Sequence, residues 1–108
     1  VMPPNPVQIL RPEVLAAFKQ SADHPLRQAL RENDLYQWAP QAPTRLYHCK
    51  GDQDVAFANS QVALEHFQAN GSPNVSLVVP SVTADHNGCV LPSLLLALDW
   101  FNSLKGKP

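Results

Sequence analysis

The sequence predicts an α/β fold, and two observations carry that expectation. From residue 44 onward a short apolar run, an amphipathic stretch, a second β-branched run and a longer apolar helical pattern follow one another. Strand, crossover helix and strand nearly always form a right-handed parallel unit, so both strands should end at one edge of the same sheet. The first 43 residues differ, because they hold seven of the eleven prolines, a density that breaks a chain into short pieces. Two regions are therefore expected: a Pro-punctuated helical part at 1–43 and a strand-helix-strand-helix part at 44–108.

Taken in order, "VMPPNP" reads as a loop. The chain opens on Val1 with no charged and apolar leader, which suggests a processed protein or an excised fragment. "RPEVLAAFKQ" puts Pro12 in a first helical turn and brings Val14, Leu15 and Phe18 onto one face, predicting a short helix. "DHPLRQALREND" repeats the device, with Asp23 or His24 as cap, Pro25 in the first turn, and Leu26 and Leu30 spaced by four. "LYQWAPQAP" reads as an extended linker whose Tyr36 and Trp38 pack onto the body. "TRLYHC" is then a short strand. "FANSQVALEHFQANG" is an amphipathic helix that turns Val62, Leu64 and Phe67 inward and stops at "NG". "NVSLVVP" is a second strand ended by Pro80, and "LPSLLLALDWFNSLK" is a helix with a broad apolar face. Trp100 and Phe101 are expected in the core or at its edge.

Composition narrows the function classes. With 44% hydrophobic and 16% charged residues the chain is globular, and a net charge of -1 with scattered basic residues leaves no patch for nucleic acid. The longest apolar run, "LLLAL", is far short of the roughly 18 to 20 residues that a helical membrane crossing needs.

Ligands of parallel sheets bind outside the carboxyl ends of the strands. Two polar loops are expected there, "HCKGDQDV" after the first strand and "TADHNG" after the second. They place a carboxylate, Asp52, beside an imidazole, His86. A carboxylate bonded to one ring nitrogen fixes the tautomer and stabilises the imidazolium, leaving the other nitrogen to take a proton from a hydroxyl nucleophile. Asp54, two residues along the same loop, is the alternative acid. The plainer readings are a turn aspartate and a surface-loop histidine. His48 reads as a partly buried structural residue at a strand end, His24 as a helix-end residue and His66 as an exposed helical one. A metal site using His48, Asp52, His86 and Cys89 is a rival, but no C-x-x-C or H-x-x-x-H pair supports it.

Here the chain resembles a known family. "LYHCKGDQDVAFANSQVAL" is similar to the late α/β-hydrolase pattern in which a strand ends in His-Gly, two residues intervene, Asp follows, and Val comes three later. Asp52 and Val55 fall on those positions, and a helix, a strand, a loop histidine and a closing helix follow in the family's order. The resemblance covers residues 35–105 and looks closest to secreted lipases or esterases and prolyl-oligopeptidase-like members. Cys49 stands where the pattern usually has Gly, and Ala56 where it often has Pro. None of Ser21, Ser60, Ser72, Ser76, Ser81, Ser93 or Ser103 lies in G-x-S-x-G.

The resemblance therefore implies the C-terminal strand-helix-strand-helix segment of an α/β-hydrolase, preceded by the helical tail of a lid or cap, with the nucleophile upstream of Val1. It implies catalytic Asp52 and His86, a small-molecule or lipid ester as substrate, and no cofactor. A peptidase of the prolyl-oligopeptidase type and a non-catalytic βα interaction module are the alternatives. Cys49 and Cys89 flank the pair and can be joined if their Cα atoms lie about 4.4 to 6.8 Å apart. The sequence leaves open whether they are bonded or free; a bond would favour a secreted or periplasmic protein. With two strands, this chain alone is expected to dimerise, swap elements or aggregate.

Overall fold

The structure is a computed structural model and describes residues 5–106. Contacts divide the chain into two compact units, Val1–Asp34 and Leu35–Pro108.

In the first unit a 3-10 turn at Pro6–Ile9 precedes α1 (Pro12–Gln20) and α2 (Pro25–Glu32). Each helix starts on a proline, whose fixed φ suits the first turn and whose missing N–H has no intrahelical partner to lose. His24, rather than Asp23, caps α2: its Nδ1 accepts the Leu26 N–H at 3.2 Å. The corner between the helices is held by Arg27, whose Nε donates to the Phe18 carbonyl at 2.6 Å while its guanidinium lies 4.4 Å from the Phe18 ring centre. Neither helix buries a residue completely; Leu15 and Phe18 are half-buried, whereas Val14 on the expected face is exposed.

The second unit contains β1 (Thr44–Tyr47), α3 (Ala58–Ala69), β2 (Val75–Val78) and α4 (Val90–Leu104). The strands are parallel, with Thr44 opposite Val75 and Tyr47 opposite Val78. Pairing continues past the strand ends through His48 N–H to the Val78 carbonyl and Lys50 N–H to the Ser81 carbonyl, both at 3.1 Å. This extended ladder brings the two following loops together. Gly71, at φ 94°, ends α3; the N–H groups of Gly71 and Ser72 return to the carbonyls of Gln68 and Phe67, satisfying helix-end acceptors.

Cys49, Phe67, Val75 and Cys89 form the buried core. The segment 35–43 packs with this unit: the Trp38 ring meets Phe67 edge-on at 5.7 Å, the Tyr36 ring lies 4.6 Å from that of His66, and Ser72 Oγ donates to the Pro40 carbonyl at 2.8 Å. The contact boundary therefore falls at Asp34 and Leu35, earlier than the composition change at residue 44.

Two inward expectations need correction. Val62 is exposed while Phe67 is buried and Leu64 half-buried, and Phe101 is exposed while Trp100 is half-covered, its ring under the Arg45 guanidinium at 4.7 Å. The reason is geometric: two strands offer too little sheet to cover the full apolar arc of either helix, and α4 buries no residue completely. Among the described residues no helix is long and apolar enough to cross a membrane.

Candidate active site

The site is built from the turn that follows β1. The Asp52 side chain folds back on its own backbone, so that Oδ1 accepts the N–H groups of Val55 at 2.8 Å and Asp54 at 2.9 Å. That leaves Oδ2 to face the loop after β2. There Ser81 Oγ accepts the N–H groups of Thr83 and Ala84, and Asp85 Oδ1 accepts that of Gly88, folding a tight approach to α4 with His86 on its outside. His86 Nδ1 donates to Asp52 Oδ2 at 2.8 Å. Its other ring nitrogen, Nε2, is thereby the one able to accept a proton.

Two features let the loops approach so closely. Gly51 lies against the second loop, and a Cβ at this position would stand 2.5 Å from the Thr83 carbonyl oxygen and 2.7 Å from that of Ala84. Only glycine leaves room for that backbone. Cys49 and Cys89 are joined in a disulfide with Cα atoms 5.8 Å apart, linking the strand end before Asp52 to the start of α4 after His86. Both cysteines are buried.

Charge follows geometry. The Val55 N–H is the main reason the Asp52 carboxyl is held down to about 2, from 3.8; burial opposes it, and the His86 and Asp54 bonds reinforce it. The bond to Asp52 raises His86 above its ordinary 6.5, with smaller contributions from Asp54 and Asp85. Asp52 is buried and the His86 side chain is 49% exposed, so one partner is anchored and the other is open to solvent.

Of the residues singled out from sequence, the structure brings together Asp52, His86, His48 and the cystine. Asp54 contributes its backbone N–H to Asp52 while its side chain stays exposed, so the carboxylate bonded to His86 is that of Asp52. The disulfide removes Cys89 as a thiolate ligand, and among the described residues no group of three His, Cys, Asp or Glu could hold a metal. His24 and His66 lie elsewhere. Sequence reading missed Ser60, whose Oγ lies 2.7 Å from His48 Nδ1, and Tyr47, whose hydroxyl is buried without a hydrogen-bond partner among the described residues. Ser60 had no detectable signal; twelve residues and a turn separate it from His48.

An open groove of about 380 Å³ runs beside the pair. Tyr47, Val55, Val90 and Leu94 give it an apolar wall, with Ser93 and His86 as polar points. A small apolar cleft next to a carboxylate–imidazole pair can bind the uncharged part of a ligand while the imidazole handles a proton.

The element order and the parallel strand pair match the C-terminal part of the α/β-hydrolase fold. The particular solved structures that it matches are of the rice cell wall degrading esterase LipA from Xanthomonas oryzae. A point variant of that esterase superposes with a TM-score of 0.70 over 90% of this chain at 28% identity. LipA itself gives 0.61 over 84% at 32% identity, and a ligand-bound form 0.61 over 80% at 34%. The matches span 27%, 23% and 22% of those chains, so this chain corresponds to about a quarter of the esterase. No protein-family model and no curated protein matches the sequence.

Proposed function

We propose that this chain supplies the acid and the base of a Ser-His-Asp hydrolase of carboxylic esters, its serine lying in a part of the protein outside these 108 residues. The observation that carries this reading is the 2.8 Å bond between His86 Nδ1 and Asp52 Oδ2, made across two loops at the carboxyl edge of a parallel sheet.

In this mechanism His86 Nε2 takes the proton of the serine hydroxyl as it attacks the ester carbonyl, and Asp52 stabilises the imidazolium that forms. His86 then returns the proton to the departing alkoxide. Water repeats the sequence on the acyl-enzyme, restoring the serine. Asp52 stays ionised throughout, consistent with a carboxyl held at about 2. Esters are favoured over peptides because the solved neighbours are an esterase, and the apolar side of the groove suits a small-molecule or lipid ester. Residues 1–43 are assigned to the tail of a lid or cap and its linker, in keeping with two short helices that bury no residue completely. The cystine favours an oxidising destination, secreted or periplasmic.

The test is hydrolysis of p-nitrophenyl esters by the intact protein that carries this chain. With the magnitudes of a serine protease triad, His86→Ala should lower kcat by roughly 10⁶-fold and Asp52→Asn by roughly 10⁴-fold, and the 108-residue chain alone should be inactive. Undiminished turnover in His86→Ala would remove the reading.

A further inference from the structure

We infer that His48 is the positioning residue for the Asp52 carboxylate, acting through Val55 and anchored by Ser60. The inference rests on the hydrolase reading of the Asp52–His86 pair and assigns a role to a histidine that the mechanism does not use.

The turn carrying Asp52 is not held by packing, since Gln53, Asp54, Val55 and Ala56 are all exposed. It is held by hydrogen bonds, and these converge on Val55. The Val55 N–H donates to Asp52 Oδ1 at 2.8 Å, while the Val55 carbonyl lies 3.1 Å from His48 Nε2. A carbonyl only accepts, so Nε2 carries a hydrogen and donates. The same nitrogen lies 3.5 Å from Asp52 Oδ2, a longer contact that adds attraction without displacing His86.

His48 is itself fixed at three points, one on its backbone and two on its ring. Its backbone N–H continues the sheet ladder to the Val78 carbonyl, its Nδ1 meets Ser60 Oγ on α3 at 2.7 Å, and its ring packs edge-on against Phe57 at 5.4 Å. The ring is buried. A continuous connection thus runs from α3 through Ser60, His48 and Val55 to Asp52 and on to His86. Its effect is to hold the Val55 peptide where both of its polar groups are occupied, so that Asp52 keeps Oδ1 on the turn and presents Oδ2 to His86. A histidine that merely filled space would leave the orientation of Asp52 unchanged on removal.

The experiment is NMR titration of the His86 ring, with labelled histidine, in the intact protein that carries this chain. Asp52→Asn is the reference and should bring the His86 midpoint down toward 6.5, because the bond to Asp52 is what raises it. His48→Ala should move the midpoint in the same direction, and His48→Gln, which keeps an N–H donor of similar reach, should recover most of the wild-type value. If His48→Ala does not fold, Ser60→Ala decides the matter, with a smaller downward shift expected. A His86 midpoint equal to wild type in His48→Ala, or in Ser60→Ala where that variant decides, overturns the role of His48 and leaves the catalytic pair intact, provided Asp52→Asn shifts it. If Asp52→Asn shifts nothing, the pair itself fails and this inference fails with it.

Discussion

Asp52 and His86 stabilise each other's charged forms, and the two effects act over different pH ranges. The Asp52 carboxyl is lower in the fold than in the unfolded chain, so its contribution is present above 3.8 and is lost as pH falls toward about 2. His86 is raised by its partner, so its contribution is complete below 6.5 and disappears as pH climbs through the raised value. Both are present together between 3.8 and 6.5. The difference in melting temperature between wild type and Asp52→Asn should therefore be widest in that window and narrow on either side. A difference that stays at its full value above neutral pH would mean that His86 contributes nothing to it. Water around the half-exposed imidazole screens the pair and keeps the effect modest. At this scale the sequence was informative, because an Asp placed after a strand and a His in the loop after the next strand are joined by topology. It was silent on which oxygen of Asp52 faces the imidazole, since two backbone N–H groups decide that.

At the scale of elements, the cystine joins the loop that carries the acid to the start of the helix that follows the base. The cysteines are 40 residues apart in sequence, and closing a loop of that length stabilises by about 4 kcal/mol in the chain-entropy model. Reduction with dithiothreitol should lower the urea midpoint by a corresponding amount, and paired substitution of both cysteines by alanine should reproduce the loss. An unchanged midpoint under reducing conditions would show that the sheet and Gly51 alone hold the loops in place. The helices were legible because each carries its own start and stop signals: Pro12 and Pro25 at first turns, and Gly71 beyond the end of α3. The pairing of the cysteines was not legible, since it depends on how far β1 and β2 carry their two loops before they turn.

For the whole molecule, the decisive quantity is apolar surface without cover. Leu91, Leu94, Leu95, Leu98 and Phe101 on α4 are each more than half exposed, and each strand of the two-stranded sheet has an open edge. Exposed strand edges and contiguous apolar surface both favour association. The 108-residue chain should self-associate or exchange elements between copies, giving a sedimentation mass above the monomer that rises with concentration. A monomer at high concentration with a cooperative melt would contradict this.

The α/β class, the order of elements and the meeting of the loop that carries Asp52 and Asp54 with the loop that carries His86 were determined by sequence alone, because hydrophobic period, turn residues and the handedness of parallel crossovers are local or nearly universal; the choice of Asp52 over Asp54 came with the fold. Which faces of α3 and α4 are covered, the bond between Cys49 and Cys89, the closeness enforced at Gly51 and the bracing of Val55 by His48 were decided by tertiary structure. Each of these joins residues distant in the chain across a gap of a few ångströms. Such gaps depend on how loops fold against a sheet edge, a property that no single segment encodes.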